Sequence, residues 1–204
     1  MTLRERILAL FESSKGQYLS GEEIGKALNV SRAGVWKAVK ALQQEGYPIH
    51  AVPNKGYCLS RDSDILSCQG VQKYLRHDAL RVQVQDKVSS TNQAVKALAQ
   101  EKAPEGTAVV AGCQEAGKGR YGRSFYSPQG SGVYLSLLLR PRDWSPESSL
   151  GLTTMAAVAV CRAIEAVSGE HPQVKWVNDI YLHGKKVCGI LTEGAFSMEN
   201  GMLE

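Results

Sequence analysis

Cysteine is scarce here and follows no pattern. The five residues Cys58, Cys68, Cys113, Cys161 and Cys188 form no C-x-x-C pair and have no metal-like spacing to the four histidines. That excludes a disulfide framework and a zinc finger, and predicts free thiols in a reducing compartment. Long apolar runs are absent too: none approaches the ~18 residues of a membrane span. The charged start Met1-Thr2-Leu3-Arg4-Glu5-Arg6 lacks the apolar core of an export signal. A cytoplasmic protein with no membrane partner is expected. With 43% hydrophobic and 22% charged residues among 204, the composition also excludes the disordered classes and allows one large domain or two modest ones. Net charge is only +4, and most of it lies in front. Residues 1–60 carry eight Lys/Arg against five Asp/Glu, the remainder sixteen against fifteen. A nucleic-acid module ahead of a near-neutral one fits that asymmetry.

The front reads as three helices and a hairpin. Leu3, Ile7, Leu10 and Phe11 recur at helical spacing up to a turn near Lys15-Gly16. Ser20-Gly21-Glu22-Glu23 is a capping box that opens a short second helix with Ile24, Ala27 and Leu28 on its apolar face. After a turn at Asn29-Val30, Ser31 caps a third helix through Glu45, with Val35, Val39 and Leu42 facing inward. Opposite that stripe stand Arg32, Trp36, Lys37 and Lys40, and Lys55 falls at the tip of a hairpin around Asn54-Lys55-Gly56. This is the pattern of a winged helix-turn-helix over residues 1–61, with Ser31, Arg32, Trp36, Lys37, Lys40 and Lys55 as candidate DNA contacts. Trp36 suits the core as well as it suits a contact.

The second module is expected over 62–204. A helix over Ile65–Leu75 and a strand over Leu80–Gln85 precede Ser89-Ser90-Thr91-Asn92-Gln93, where Ser90 and Gln93 suggest another capping box. Gly117-Lys118-Gly119-Arg120-Tyr121-Gly122-Arg123 has the G-x-G-x-x-G spacing of a dinucleotide fold, but Arg123 to Gly130 reads as loop and turn. A Rossmann helix is therefore excluded, and a glycine-rich, cationic loop that closes over an anion takes its place. A strand over Gly132–Leu139 and a largely apolar helix from about Glu147 to Val167, expected to be well buried, lead to Lys175-Trp176-Val177-Asn178-Asp179. There a cation, an amide and a carboxylate sit between apolar halves. A turn at His183-Gly184 opens a strand over Lys186–Glu193, whose alternation sets Lys186, Cys188 and Ile190 on one face.

In order, Ser90-Thr91-Asn92, Gln114 with the Gly117–Arg123 loop, Lys175-Trp176-Val177-Asn178-Asp179, and Lys186 with Gly189-Ile190-Leu191 resemble the motif series of biotin protein ligases. With the front module, the chain is similar to the bifunctional bacterial type. The resemblance implies an α/β (α+β) fold, in which a mixed-sheet catalytic domain like that of class II aminoacyl-tRNA synthetases follows the winged helix-turn-helix. It implies that biotin and ATP, with Mg²⁺, form biotinyl-5′-AMP, and that biotin then passes to a lysine of the biotin carboxyl carrier domain of acetyl-CoA carboxylase. It implies as well an operator-binding repressor of biotin genes, dimeric when full length. Ser90, Thr91, Asn92, Gln114, Lys118, Gly119, Arg120 and Lys186 would surround biotin. Arg120, Arg123, Phe125, Asn178 and Asp179 would meet the nucleotide, with Mg²⁺ carried by ATP near Asp179. Lys186 and Arg120 would be the catalytic cations. Lys118, Phe125 and Val177 stand where the family usually has Arg, Trp and Pro, which leaves the required chemical groups in place. The resemblance further implies that the chain stops short, just after a hairpin signal at Asn200-Gly201. Two other readings use the same residues: a DNA-binding regulator with an inactive ligase domain, and a lipoate ligase-like acyltransferase.

Overall fold

The computed structural model describes residues 1–77, 79–141 and 146–194, with side chains outside 146–150. It divides into two compact units, Met1–Asp78 and Ala79–Glu204. The expected boundary at 61/62 moves back because the segment after the hairpin belongs to the first unit. There Lys73 Nζ bonds the buried Glu12 carboxylate at 2.9 Å and the Glu12 carbonyl at 3.0 Å.

In the first unit, α1 (Leu3–Ser13), α2 (Gly21–Leu28) and α3 (Arg32–Gln44) precede an antiparallel hairpin of β1 (Ile49–Val52) and β2 (Gly56–Leu59). Each helix starts where its sequence says it should. Ser20 Oγ accepts from the Glu23 amide at 3.1 Å while Glu23 Oε2 accepts from the Ser20 amide at 2.7 Å, and Ser31 Oγ accepts from Gly34. Thr2 and Glu5 form a further capping box on α1. Asn29 takes the left-handed conformation that ends α2. Ile7, Phe11, Ile24, Val35, Val39, Leu42 and Leu59 are fully buried and pack as one core. Each large apolar side chain removed from water in this way contributes about 1.5–3 kcal/mol. Gly56 lies so close to the Leu19 carbonyl that any Cβ there would clash at 2.2 Å, which pins the hairpin to the segment before α2. The helix expected over 65–75 shrinks to α4 (Cys68–Gln72), because Ser67 caps it late, through the Gly70 amide at 2.9 Å.

In the second unit, β3 (Arg81–Val88), β4 (Thr107–Gln114) and β5 (Tyr134–Leu137) form a mixed sheet. The β3–β4 pair is parallel and joined through α5 (Thr91–Gln100); the β4–β5 pair is antiparallel. Val95, Val109 and Leu138 bury the contact between α5 and this sheet. A second, antiparallel sheet joins β6 (Gln173–Lys175), β7 (Asp179–Leu182) and β8 (Lys185–Gly189). A bulge makes Val187 the extra residue between the Tyr181–Lys186 and Ile180–Cys188 pairs, so the simple alternation expected along this strand does not run through it.

The helix α6 (Pro146–Ser168) has the expected extent but not the expected burial. Ala157 is buried, whereas Met155, Val158 and Val167 are exposed. Its Gly151–Ser168 stretch of 18 residues could cross a bilayer by length and composition alone, although it holds no unbroken apolar run of that length. Averaging explains the difference: Arg162 and Glu165 interrupt the run, and a sequence search for unbroken apolar residues passes over it. The hairpin expected at Asn200-Gly201 lies outside the described residues.

Candidate active site

Three segments far apart in the chain meet in the second unit: the start of α5, the glycine-rich loop after β4, and the β6–β7 turn with β8. The capping box expected from Ser90 and Gln93 does not form. Ser90 is buried and makes no side-chain cap bond, and Gln93 accepts from the Ser89 hydroxyl at 3.0 Å instead. The first amide of α5 is served from β4. Gln114 Oε1 accepts from Thr91 N at 2.8 Å and from Thr91 Oγ1 at 3.0 Å. A remote amide has replaced the local cap, which leaves the Ser90 hydroxyl uncommitted to the helix.

Gln114 also joins the start of α5 to the loop. Its Nε2 donates to Ser127 Oγ at 2.9 Å, and Ser127 donates to the Phe125 carbonyl at 3.1 Å. Between them the loop folds back on itself, with Gly119 N donating to Arg123 O at 2.7 Å and Phe125 N to Gly117 O at 2.8 Å. Gly117 has no room for a side chain, since a Cβ would come within 2.6 Å of the Phe125 carbonyl. Arg120–Gly122 is one 3₁₀ turn, with Tyr121 at a positive φ of 57°. The loop reading thus holds, with no helix after the glycines. Lys118 and Arg123 are exposed, and Gly119 and Arg120 half-buried.

Arg120 reaches across to the β6–β7 turn, where its Nη1 donates to Asn178 Oδ1 at 2.7 Å. Asn178 is held in turn by Ile190, the residue after β8: its Nδ2 donates to the Ile190 carbonyl at 3.3 Å and its carbonyl accepts from Ile190 N at 2.8 Å. The Trp176–Val177 peptide is cis. Beside this turn, Lys186 Nζ lies 2.8 Å from Asp179 Oδ1 and 5.9 Å from the Phe125 ring centroid. The Lys186–Asp179 contact is an ion pair by distance, yet Asp179 Oδ1 is buried and receives no well-directed hydrogen bond. Gly189 makes the arrangement possible, because a Cβ would fall 3.1 Å from the Phe125 ring and 3.2 Å from Lys186 Cε. Two cations (Arg120, Lys186), an aromatic face and one carboxylate thus share one region of the unit, with Lys118 exposed on the same loop as Arg120. Such a set suits a ligand with a planar ring and several negative oxygens.

Asn92 bonds other partners. Its Nδ2 donates to Glu193 Oε2 at 2.8 Å and to the Leu191 carbonyl at 3.3 Å, and its Oδ1 accepts from Ser136. Glu193, Ser127 and Ser136 carried no motif, and sequence reasoning missed them. Their roles come from pairing across the sheet, for which the chain has no short-range signal. Among the described residues no cluster of three His, Cys, Asp or Glu side chains could hold a metal.

Residues 84–201 match the sequence pattern of the Biotin/lipoate A/B protein ligase family, a stretch that includes every residue of this site. The chain belongs to that family. Residues 3–58 match the HTH domain pattern, which agrees with the three helices and hairpin of the first unit. Over 194 residues the chain is 42% identical to the bifunctional ligase/repressor BirA of Bacillus subtilis, covering 94% of this chain and 59% of that protein. It is 33% identical to the Escherichia coli protein of the same name, covering 94% of this chain and 58% of that one. Among solved structures, the biotin protein ligase of Aquifex aeolicus in complex with biotin and ATP is similar at a TM-score of 0.50 and 32% identity, over 60% of this chain and 49% of that one. The chain thus spans about three-fifths of the length of the curated relatives it matches.

In the first unit, the residues expected to meet DNA lie as follows. Arg32, Lys37, Lys40 and Lys55 are exposed, and Trp36 is 52% exposed, which takes it out of the core. Ser31 is exposed as well, with its hydroxyl used to cap α3.

Proposed function

We propose that the second unit joins biotin to ATP as biotinyl-5′-AMP and passes biotin to a lysine of a biotin carboxyl carrier domain. The first unit binds operator DNA as a repressor of biotin genes. One observation carries the ligase reading: Lys186, on a paired strand, and Arg120, on the glycine-rich loop, approach the same β6–β7 turn, with Phe125 beside them. The family match supports assigning ligase chemistry to this turn.

When the biotin carboxylate attacks the α-phosphate and the α–β phosphoanhydride bond breaks to release pyrophosphate, negative charge builds between the reacting groups, and fixed cations lower that barrier without reorganising. Lys186 is the rigid donor. Arg120, Lys118 and the amide of Gly119 cover the product from the loop, and Arg123 lies on the nucleotide side. Ser90, Thr91 and Gln114 form the polar wall for the biotin rings, and Phe125 shields adenine. Asn178 and Asp179 face the nucleotide. A single carboxylate, whose buried oxygen is ion-paired to Lys186 but takes no directed hydrogen bond, fits Mg²⁺ that arrives on the ATP phosphates, because this ion keeps most of its ligands from water and phosphate. Asp179 would hold it there, and the ion would supply charge neutralisation. No side-chain nucleophile is required, and a cytoplasmic location follows from the carrier substrate.

In the first unit, α3 with Arg32, Trp36, Lys37 and Lys40 lies in the major groove, and Lys55 on the hairpin tip meets phosphate. Loop closure over the adenylate favours a dimer, which presents two such units to paired half-sites. The test is incubation with biotin, MgATP and a carrier domain. Biotin on the carrier supports the reading, and a carrier left unlabelled at high protein concentration overturns it.

A further inference from the structure

Asn92 is among the residues expected to touch biotin, yet its side chain has no donor left to offer. A primary amide has two N–H bonds; here one goes to the Leu191 carbonyl and the other to Glu193 Oε2. Turning the amide over would set its oxygen against a carbonyl and a carboxylate, neither of which can donate. The partners therefore fix its orientation, and Ser136 occupies the oxygen. Glu193 is itself doubly held: its other oxygen lies 3.2 Å from Lys96 Nζ. Asn92 and Lys96 are four apart on α5 and share a face, so one carboxylate grips the first two turns of the helix. The hydrogen bond from Asn92, helped by Lys96 and then Lys118, keeps the Glu193 carboxyl below its ordinary range, so it is an anion and an acceptor at neutral pH.

What hangs on this grip is the wall of the site. The first turn of α5 presents the Thr91 amide and hydroxyl to Gln114, Gln114 holds Ser127, and Ser127 holds the Phe125 carbonyl. A displacement of that turn is therefore passed to both the amide and the aromatic face, and a misplacement of about 1 Å in a reacting geometry can cost on the order of a hundredfold.

We infer that Glu193 is a positioning residue of the ligase site and that Asn92 is its strut rather than a biotin contact. This rests on the ligase reading of the second unit. Asn92→Asp sets two carboxylates against each other and removes both donors. Glu193→Gln keeps an acceptor oxygen for Asn92. In the double variant, the amide introduced at 193 can donate to the carboxylate introduced at 92, which restores the link with its direction reversed.

Biotin affinity and the KM and kcat of adenylate formation are to be measured for the parent and these three variants, with thermal unfolding as a check on folding. We expect Asn92→Asp to weaken biotin binding by about tenfold or more, and Glu193→Gln by no more than about threefold. The double variant should regain most of the loss, a coupling that independent sites do not show. Binding by Asn92→Asp alone should also improve as pH falls towards 5, since facing carboxylates share a proton there; the double variant should lack that dependence. An Asn92→Asp defect that persists in full in the double variant, or variants whose unfolding shifts while biotin affinity stays at the parent value, overturns the assignment. A parent that binds biotin but shows no rescue removes this inference alone. A parent that binds no biotin removes the ligase reading as well.

Discussion

In the first unit, the side-chain bonds that start the helices span three residues: Thr2 with Glu5, Ser20 with Glu23, Ser31 with Gly34. In the second, the bond that starts α5 comes from Gln114, 23 residues away, and its first turn is held by Ser136 and Glu193, 44 and 101 residues away. One unit is assembled mainly from local instructions, the other from chain closure over long separations. The packing differs in the same sense. The first unit buries Ile7, Phe11, Ile24, Val35, Val39 and Leu42 in one core, whereas the second leaves Leu135, Leu137, Met155, Val158 and Val187 exposed. Locally specified structure fits a module whose work is done by a fixed exposed face. Long-range bonding fits a site where separate elements must converge on one ligand.

Substitutions in the two units should therefore fail in different ways. The largest stability effect is expected from Phe11→Ala, which empties the middle of the first core and should cost that unit about 3–5 kcal/mol. Two-probe denaturation should show the first transition moving and the second unmoved; a joint shift would mean the units do not fold separately.

The next effect is on DNA. Lys55→Glu at the exposed hairpin tip should weaken binding to operator and random sequences alike and lower the salt slope by roughly one, since a phosphate contact carries no base information. Gel shifts over a salt series measure this, and an effect confined to operator DNA would assign Lys55 to base reading instead.

A smaller contrast compares the two kinds of cap. Ser20→Ala should cost about 1 kcal/mol of stability. It should leave biotin binding unchanged. Gln114→Ala takes the acceptor from Thr91 and the donor from Ser127 together, so its stability cost of about 1–3 kcal/mol should come with a loss of biotin binding. Equal binding in both variants would erase the distinction.

The smallest effect concerns pH. Glu193 has a lowered pKa in the folded unit, so its contribution to stability is present above its ordinary value of 4.5 and is lost as pH falls through the folded value. The Tm difference between parent and Glu193→Gln should thus hold at neutral pH and shrink below that point. A difference that grows on acidification would reverse the sign of this account.

The same contrast explains what could be read from the chain. Within the first unit, the three helices and the hairpin were legible almost to the residue, since capping boxes, helical periodicity and a turn at Asn54-Lys55-Gly56 are signals of three to five neighbouring residues, whereas the helix expected over 65–75 was drawn too long. In the second unit, α6, the strands β3, β5 and β8 and the glycine-rich loop were legible in outline, whereas β6 and β7 were not, and the family resemblance pointed to Arg120, Asn178, Asp179 and Lys186. The Ser90–Gln93 box misled, because the half-buried Gln114 outcompetes a local cap that looks the same on paper. The exposed flank of α6 misled also, because apolar composition gives a preference for burial but supplies no partner surface. Glu193 was invisible: a lone acid after a strand announces nothing until the fold brings Asn92 and Lys96 to it.

The central claim is that the convergence of Lys186 and Arg120 on the β6–β7 turn is a site for biotin activation. Its most direct test is formation of biotinyl-5′-AMP, followed as pyrophosphate release from biotin and MgATP, by the parent and by Lys186→Ala. The account predicts biotin-dependent release by the parent and a rate lower by roughly a hundredfold or more in Lys186→Ala, the scale of losing one preorganised donor at a developing charge. Equal rates in the two proteins, or no biotin-dependent release by the parent, would contradict it.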